Sequence, residues 1–160
     1  MTLRTLTLLA LAAAAVASPQ ARKRANDPDM REIRDYRLSL DKIQHYIDAS
    51  KAMQKDPAAA ACFKDKPPGN QATIDLGQKQ IEGCPAAVAD LKAAGLTPRE
   101  FLVLTGSLIG SVFAMEMKRQ GTIKQYPDSV SPENAAFLDQ NYEKIKAMVA
   151  PLMGQGGPDK

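Results

Sequence analysis

Three residues on one stretch of the chain are of the types that hold a divalent cation: Asp41, His45 and Asp48. Spaced four and three apart, they lie side by side on a helix, and one imidazole with two carboxylates makes a partial metal site. Their position relative to the apolar residues of the same stretch argues for solvent instead. With Ile33 placed at 0°, the apolar stripe centres near ~310°, whereas the three polar residues fall at about 60–120°. His45 is the single His of the chain, so haem ligation would have to pair it with a Met such as Met115, without any Cys-x-x-Cys-His attachment run. Met115 and Met117, two apart on a helix, project about 200° from one another and read as core packing rather than a copper site. No nucleophile stands beside a base, and neither a phosphate loop nor a pair of acid/base carboxylates survives a geometric check, so no enzymatic activity and no cofactor are expected. A metal- or haem-binding carrier built on Asp41, His45 and Asp48 is the alternative reading.

Cys62 and Cys84 are the only two cysteines. In an exported chain they are most simply one disulfide, since their spacing is unlike Cys-x-x-Cys and no His neighbours either. The loop of about 23 residues that they close is worth roughly 3.4 kcal/mol in the chain-entropy picture. It encloses Pro67-Pro68-Gly69-Asn70, which is turn chemistry with little else to hold it down.

Export is the reading of the N-terminus. Met1–Arg4 is a short basic start, Thr5–Ala17 an apolar run, and Ala15-Val16-Ala17 before Ser18 a small-x-small cleavage site. That run of thirteen residues spans roughly 20 Å as a helix, short of the ~30 Å hydrocarbon core, so cleavage is preferred to anchoring and no transmembrane segment is expected afterwards. Of the 160 residues, 143 remain after residues 1–17 are removed, and the loss of Arg4 lowers the net charge from +3 to +2. Near-neutrality gives no electrostatic case for nucleic acid. Arg22, Lys23 and Arg24 form a local basic cluster in a flexible segment, residues 18–26, whose one specific use would be a weak membrane-surface contact.

The elements that must position any site are helical. Asp27-Pro28 opens an amphipathic helix over about Asp29–Gln54, with Ile33, Tyr36, Leu40, Ile43 and Ile47 on one stripe. A short helical turn follows over Ala58–Phe63, a weakly patterned helix over Thr73–Glu82, and another over Pro85–Ala94 that closes on Gly95-Leu96 as a left-handed cap. Thr97-Pro98-Arg99-Glu100 is a capping box, in which Glu100 reaches back to the Thr97 amide, and it starts a helix running to about Gln120. From Phe101 to Met115 that helix carries no charged side chain, which marks it as the buried centre of the fold. Phe101, Leu104, Leu108, Ile109, Val112 and Met115 form its bulky face. Gly106, Ser107, Gly110 and Ala114 form a small-residue face opposite, which a second backbone could approach closely. Ser131-Pro132-Glu133 opens a last amphipathic helix through Leu152. Asn134 and Asn141 lie on its apolar face and need partners if buried: a helix-start contact and an interhelical bond, or the lining of a pocket beside Gly106 and Gly110.

The fold class expected is therefore all-α, a bundle of four to five helices around a central apolar helix, in one domain over residues 27–153 with a polar tail over 154–160. Gly95-Leu96-Thr97-Pro98-Arg99-Glu100-Phe101 and Asn134-Ala135-Ala136-Phe137-Leu138, set behind a signal peptide and an amphipathic helix, resemble uncharacterised exported helical proteins of Gram-negative bacteria. The resemblance covers about Asp27 to Leu152 and brings no activity with it. Leu96–Glu100 also resembles the start of the DNA-binding helical domain of response regulators similar to quorum-sensing activators. That likeness ends there, because no Lys or Arg occurs from Glu100 to Met117 to meet phosphate.

The functional expectation is a periplasmic or secreted, non-enzymatic domain that binds a partner protein or an apolar ligand beside Gly106, Ser107, Gly110, Ala114, Asn134 and Asn141. Mass spectrometry under non-denaturing conditions should find a chain that begins at Ser18 and is lighter by the hydrogens lost in one disulfide; an intact Met1 or two free thiols would contradict the export reading.

Overall fold

The computed structural model describes residues 27–63 and 73–153. The signal-peptide reading of residues 1–17, the Arg22-Lys23-Arg24 cluster, the Pro67–Asn70 turn and the polar tail lie outside the described residues.

The described residues form seven helices: α1 (Pro28–Asp35), α2 (Leu40–Lys55), α3 (Pro57–Cys62), α4 (Ile74–Glu82), α5 (Pro85–Ala93), α6 (Pro98–Arg119) and α7 (Pro132–Met153). No strand occurs among them. The fold is all-α, and α6 is its axis, packed by α1, α2, α4, α5 and α7. Ile43 and Ile47 of α2, Leu91 of α5, Leu104 and Met115 of α6, and Leu138 and Ile145 of α7 meet in one core, each at most 2% exposed. Where α4 crosses α6, Gly77 permits the approach, since a Cβ there would stand 3.0 Å from the Leu102 side chain.

Local chemistry explains most of the boundaries. Asp27, Ser39, Asp56, Thr73 and Thr97 each turn a side-chain oxygen onto a first-turn amide of the helix that follows. Gly95 (φ 75°) and Gly121 (φ 73°) end α5 and α6 in the left-handed conformation. At each, the following residue's N–H bonds back five residues, Leu96 to the Leu91 carbonyl and Thr122 to that of Met117, the Schellman arrangement that satisfies the last carbonyls. Cys62 at the end of α3 and Cys84 at the start of α5 form the disulfide, with Cα atoms 6.1 Å apart.

Two expectations about α1, α2 and the start of α6 are corrected. The long helix expected over Asp29–Gln54 is two helices, broken by an extended linker at Tyr36–Ser39. The side chain of Asn134, 1% exposed, takes both main-chain groups of that linker: the Leu38 N–H donates to Oδ1 (2.9 Å), and Nδ2 donates to the Tyr36 carbonyl (2.8 Å). Those groups would otherwise belong to a helical ladder, so the clamp stabilises the break, and Ser39 restarts the helix by accepting from the Lys42 amide (3.3 Å). The capping box at Thr97 is half formed. Thr97 Oγ1 accepts from the Glu100 amide (3.1 Å), but the Glu100 carboxylate turns outward to accept from the Tyr36 hydroxyl (2.8 Å) and to meet Lys42 (3.6 Å).

Helix α1 buries no residue fully and is held to α6 and α4 mainly by polar contacts. Arg99 of α6 grips Glu32 with two nitrogens (2.6 and 2.9 Å) and Asp75 of α4 with a third contact (2.8 Å), and Asp29 accepts from the Ile74 amide (2.9 Å). Replacing Asn134 with Ala strands the Leu38 N–H and Tyr36 carbonyl in the core, and each stranded group costs about 1–3 kcal/mol. The Asn134→Ala variant should therefore lose about 2–4 kcal/mol in urea unfolding; a loss below about 0.5 kcal/mol, the level of an ordinary surface substitution, would remove the clamp from its structural role.

Candidate functional site

The residues proposed from sequence as one groove are spread over different environments. Gly106 is covered by α1, since a Cβ there would stand 2.8 Å from Cδ1 of Ile33. Ser107 and Ala114 are buried in the core, at 5% and 3% exposure. Gly110 faces open space. Asn134 is committed to the linker clamp, and Asn141, rather than bonding to another helix, donates from Nδ2 to the carbonyl of Phe137 on its own helix (2.9 Å). That residue is non-helical (φ −119°, ψ 17°) and kinks α7. Gly106, Ser107 and Ala114 are thus packing residues, Gly110 is open, and the stripe makes no shared cavity.

The metal alternative finds no convergent geometry. Asp41, His45 and Asp48 are exposed on α2, Asp48 accepts from Gln44 (2.8 Å), and His45 lies against Gly95. Among the described residues, no three His, Cys, Asp or Glu side chains come together as a metal-binding group. Met115 is in the core, whereas His45 is at the surface, so the two do not share a haem-sized space.

The structure places its apolar opening elsewhere. Ile109 and Phe113, one turn apart on α6, are 60% and 67% exposed, although α6 was expected to be buried all round. Beside them a groove of about 440 Å³ runs between α6, the C-terminal part of α7 and Tyr46 of α2. Leu108, Ile109, Val112 and Phe113 form its floor and near wall, Val149 and Leu152 its far wall, and Glu116 is the one carboxylate that lines it. Tyr46 is fixed by stacking on Phe101, with ring centroids 5.3 Å apart. A groove of this size, lined by apolar side chains apart from Glu116 and Tyr46, has the character of a small-molecule site.

A signal for this opening exists in the sequence. Phe113 stands about 160° from Met115 on a helical projection, so a large aromatic falls outside the bulky stripe. An uncharged helix is most simply read as buried throughout, which hides the signal.

A second, wider depression of about 770 Å³ lies over the α6–α7 connection, lined by Arg34, Asp35, Lys118, Lys124, Tyr126, Asp128 and Glu133 among others. Four of those polar side chains have protein partners. Lys118 donates to Asp139 (2.6 Å), Tyr126 donates to the same carboxylate (2.8 Å), and Arg34 pairs with Asp35 (2.6 Å). The Lys118 contact holds the Asp139 carboxyl below its ordinary range, and burial, reinforced by Asp139, pushes the Tyr126 phenol up. Burial, reinforced by Glu100, likewise raises the Tyr36 phenol. Each of these displaced groups is accounted for by a structural partner, and none lines the apolar groove.

By length and composition α6 is the one helix among the described residues that could cross a membrane. A central helix packed by five others has the same composition; α6 is packed in that way, with Ile109 and Phe113 on the side left open. No family model matches the chain, and no curated protein or solved structure is detectably similar to it.

The two glycines of α6 differ in a measurable way. Gly110 has open space around its missing Cβ, so Gly110→Ala should gain up to about 1 kcal/mol from helix propensity. Gly106→Ala should gain less, because its methyl must displace Ile33. Thermal unfolding of the pair decides it, and equal shifts would place α1 away from α6.

Proposed function

We propose that the chain is an exported, non-enzymatic helical binding module that takes an apolar ligand in the groove between α6 and α7. The observation that carries the reading is the exposure of Phe113 and Ile109 beside the groove. A large aromatic and a β-branched residue held together in water are unfavourable by their transfer free energy, roughly 1.5–3 kcal/mol for each side chain fully left exposed. Contiguous exposed apolar surface of this kind marks a place where something else is covered. The groove's dimensions favour a small molecule or a single alkyl chain. An apolar side chain of a partner protein is the second occupant that the protruding pair would suit.

Export is supported by the apolar N-terminal run with its small-residue cleavage site and by the Cys62–Cys84 bridge, which belongs to an oxidising environment. Periplasm or extracellular medium is the compartment consistent with both.

The test is a neutral solvatochromic dye, N-phenyl-1-naphthylamine, whose fluorescence rises on entering an apolar site. The purified chain should enhance it saturably. The double variant Ile109→Ser with Phe113→Ser should abolish the enhancement while leaving urea stability within about 0.5 kcal/mol, as expected of exposed positions. Undiminished enhancement in the double variant would remove the groove from consideration.

A further inference from the structure

The groove holds an asymmetry that bears on what its ligand must look like. Its lining is apolar along Leu108, Val112 and Phe113 and ends at Glu116, one turn further along α6. Glu116 is half-buried and is oriented by Tyr142, whose hydroxyl donates to Oε1 (2.9 Å). No Lys or Arg lines the groove. The basic residues nearest in sequence or packing make their contacts elsewhere than with Glu116. Lys118 is bound to Asp139 (2.6 Å). Arg119 lies over the Tyr142 ring (4.2 Å to the centroid) and within 3.8 Å of Glu143, and Lys146 lies over the same ring (5.6 Å). Glu116 also sits in the last turn of α6, where the helix dipole is negative and favours a cation.

Resting on the binding function above, we propose that the groove selects single-chain amphiphiles whose head group is cationic. The alkyl chain lies along Val112, Phe113 and Leu152, and the ammonium head pairs with Glu116. A carboxylate head of the same chain length would meet Glu116 and the negative end of α6 and be disfavoured, so fatty acids are the wrong class. The selection is a matter of charge complementarity, which distinguishes partners more than it adds affinity.

Displacement of N-phenyl-1-naphthylamine by dodecyltrimethylammonium and dodecanoate, each below its micelle concentration, and by dodecanol below its solubility limit, tests this directly. The cation should displace the dye at about tenfold lower concentration than the carboxylate, a difference of about 1.4 kcal/mol, with the alcohol between them. Glu116→Gln keeps an acceptor for Tyr142 and should bring the three within about twofold of one another. Glu143→Gln, which removes a neighbouring carboxylate outside the groove, should leave the order unchanged. Equal displacement by all three in the unsubstituted chain, or an order that survives Glu116→Gln, overturns the head-group assignment while leaving the groove as an apolar site. Failure of all three to displace a dye that binds saturably would count against the apolar-ligand reading itself and would overturn the head-group assignment with it.

Discussion

The passage from α1 into α2 depends on one buried amide. The chain enters the bundle along α1, which has no fully buried residue, and must turn before α2 to bring Ile43 and Ile47 onto the core. A turn inside a closely packed bundle leaves main-chain groups without ladder partners, and an unpaired buried group is costly. Asn134 resolves the problem from the far end of the sequence, because a carboxamide offers both a donor and an acceptor in one plane on a short side chain. Its own position is set by Ser131, which accepts from the Asn134 amide (3.2 Å) at the start of α7. The cap of the last helix thus determines where the first one ends, so the two termini of the domain form one cooperative unit.

Reading the sequence alone reveals those features whose causes are local. The caps at Asp27 and Thr97, the left-handed glycine at 95, and the proline-marked starts of α3, α5, α6 and α7 all rest on residues within a few positions of one another. Periodicity finds α2 and α7, and an uncharged run finds the central helix. What fails is whatever depends on distant partners. The apolar stripe from Ile33 to Ile47 is continuous in the sequence, and nothing local announces that residues 36–39 will be pulled straight by an amide 96 positions away from Leu38. Glu100 satisfies the motif of a capping box, yet Tyr36 and Lys42 compete for its carboxylate and win because they are already positioned beside it.

The candidate site shows the same division. Gly106, Ser107 and Ala114 suggest a face left free for a visitor, but small residues in a helix allow the protein's own elements to come close, and here Ile33 and the core take that space. The true opening lies where bulky residues stand in water. Composition distinguishes apolar from polar surface, whereas whether an apolar surface is covered depends on how far the neighbouring helices extend. Ile109 and Phe113 differ from Leu104 and Leu108 only in their direction around one axis.

The kink at Asn141 has a consequence for this opening. Val149 and Leu152 stand about two and about three helical turns beyond it, so the segment that carries them acts as a lever arm pivoted at residue 141. Small changes in that residue's backbone angles are magnified along the arm into changes in the aperture between α7 and Phe113. The separation of the two walls is therefore governed by a residue that touches neither, and the size of guest admitted can drift between related chains whose lining side chains are identical.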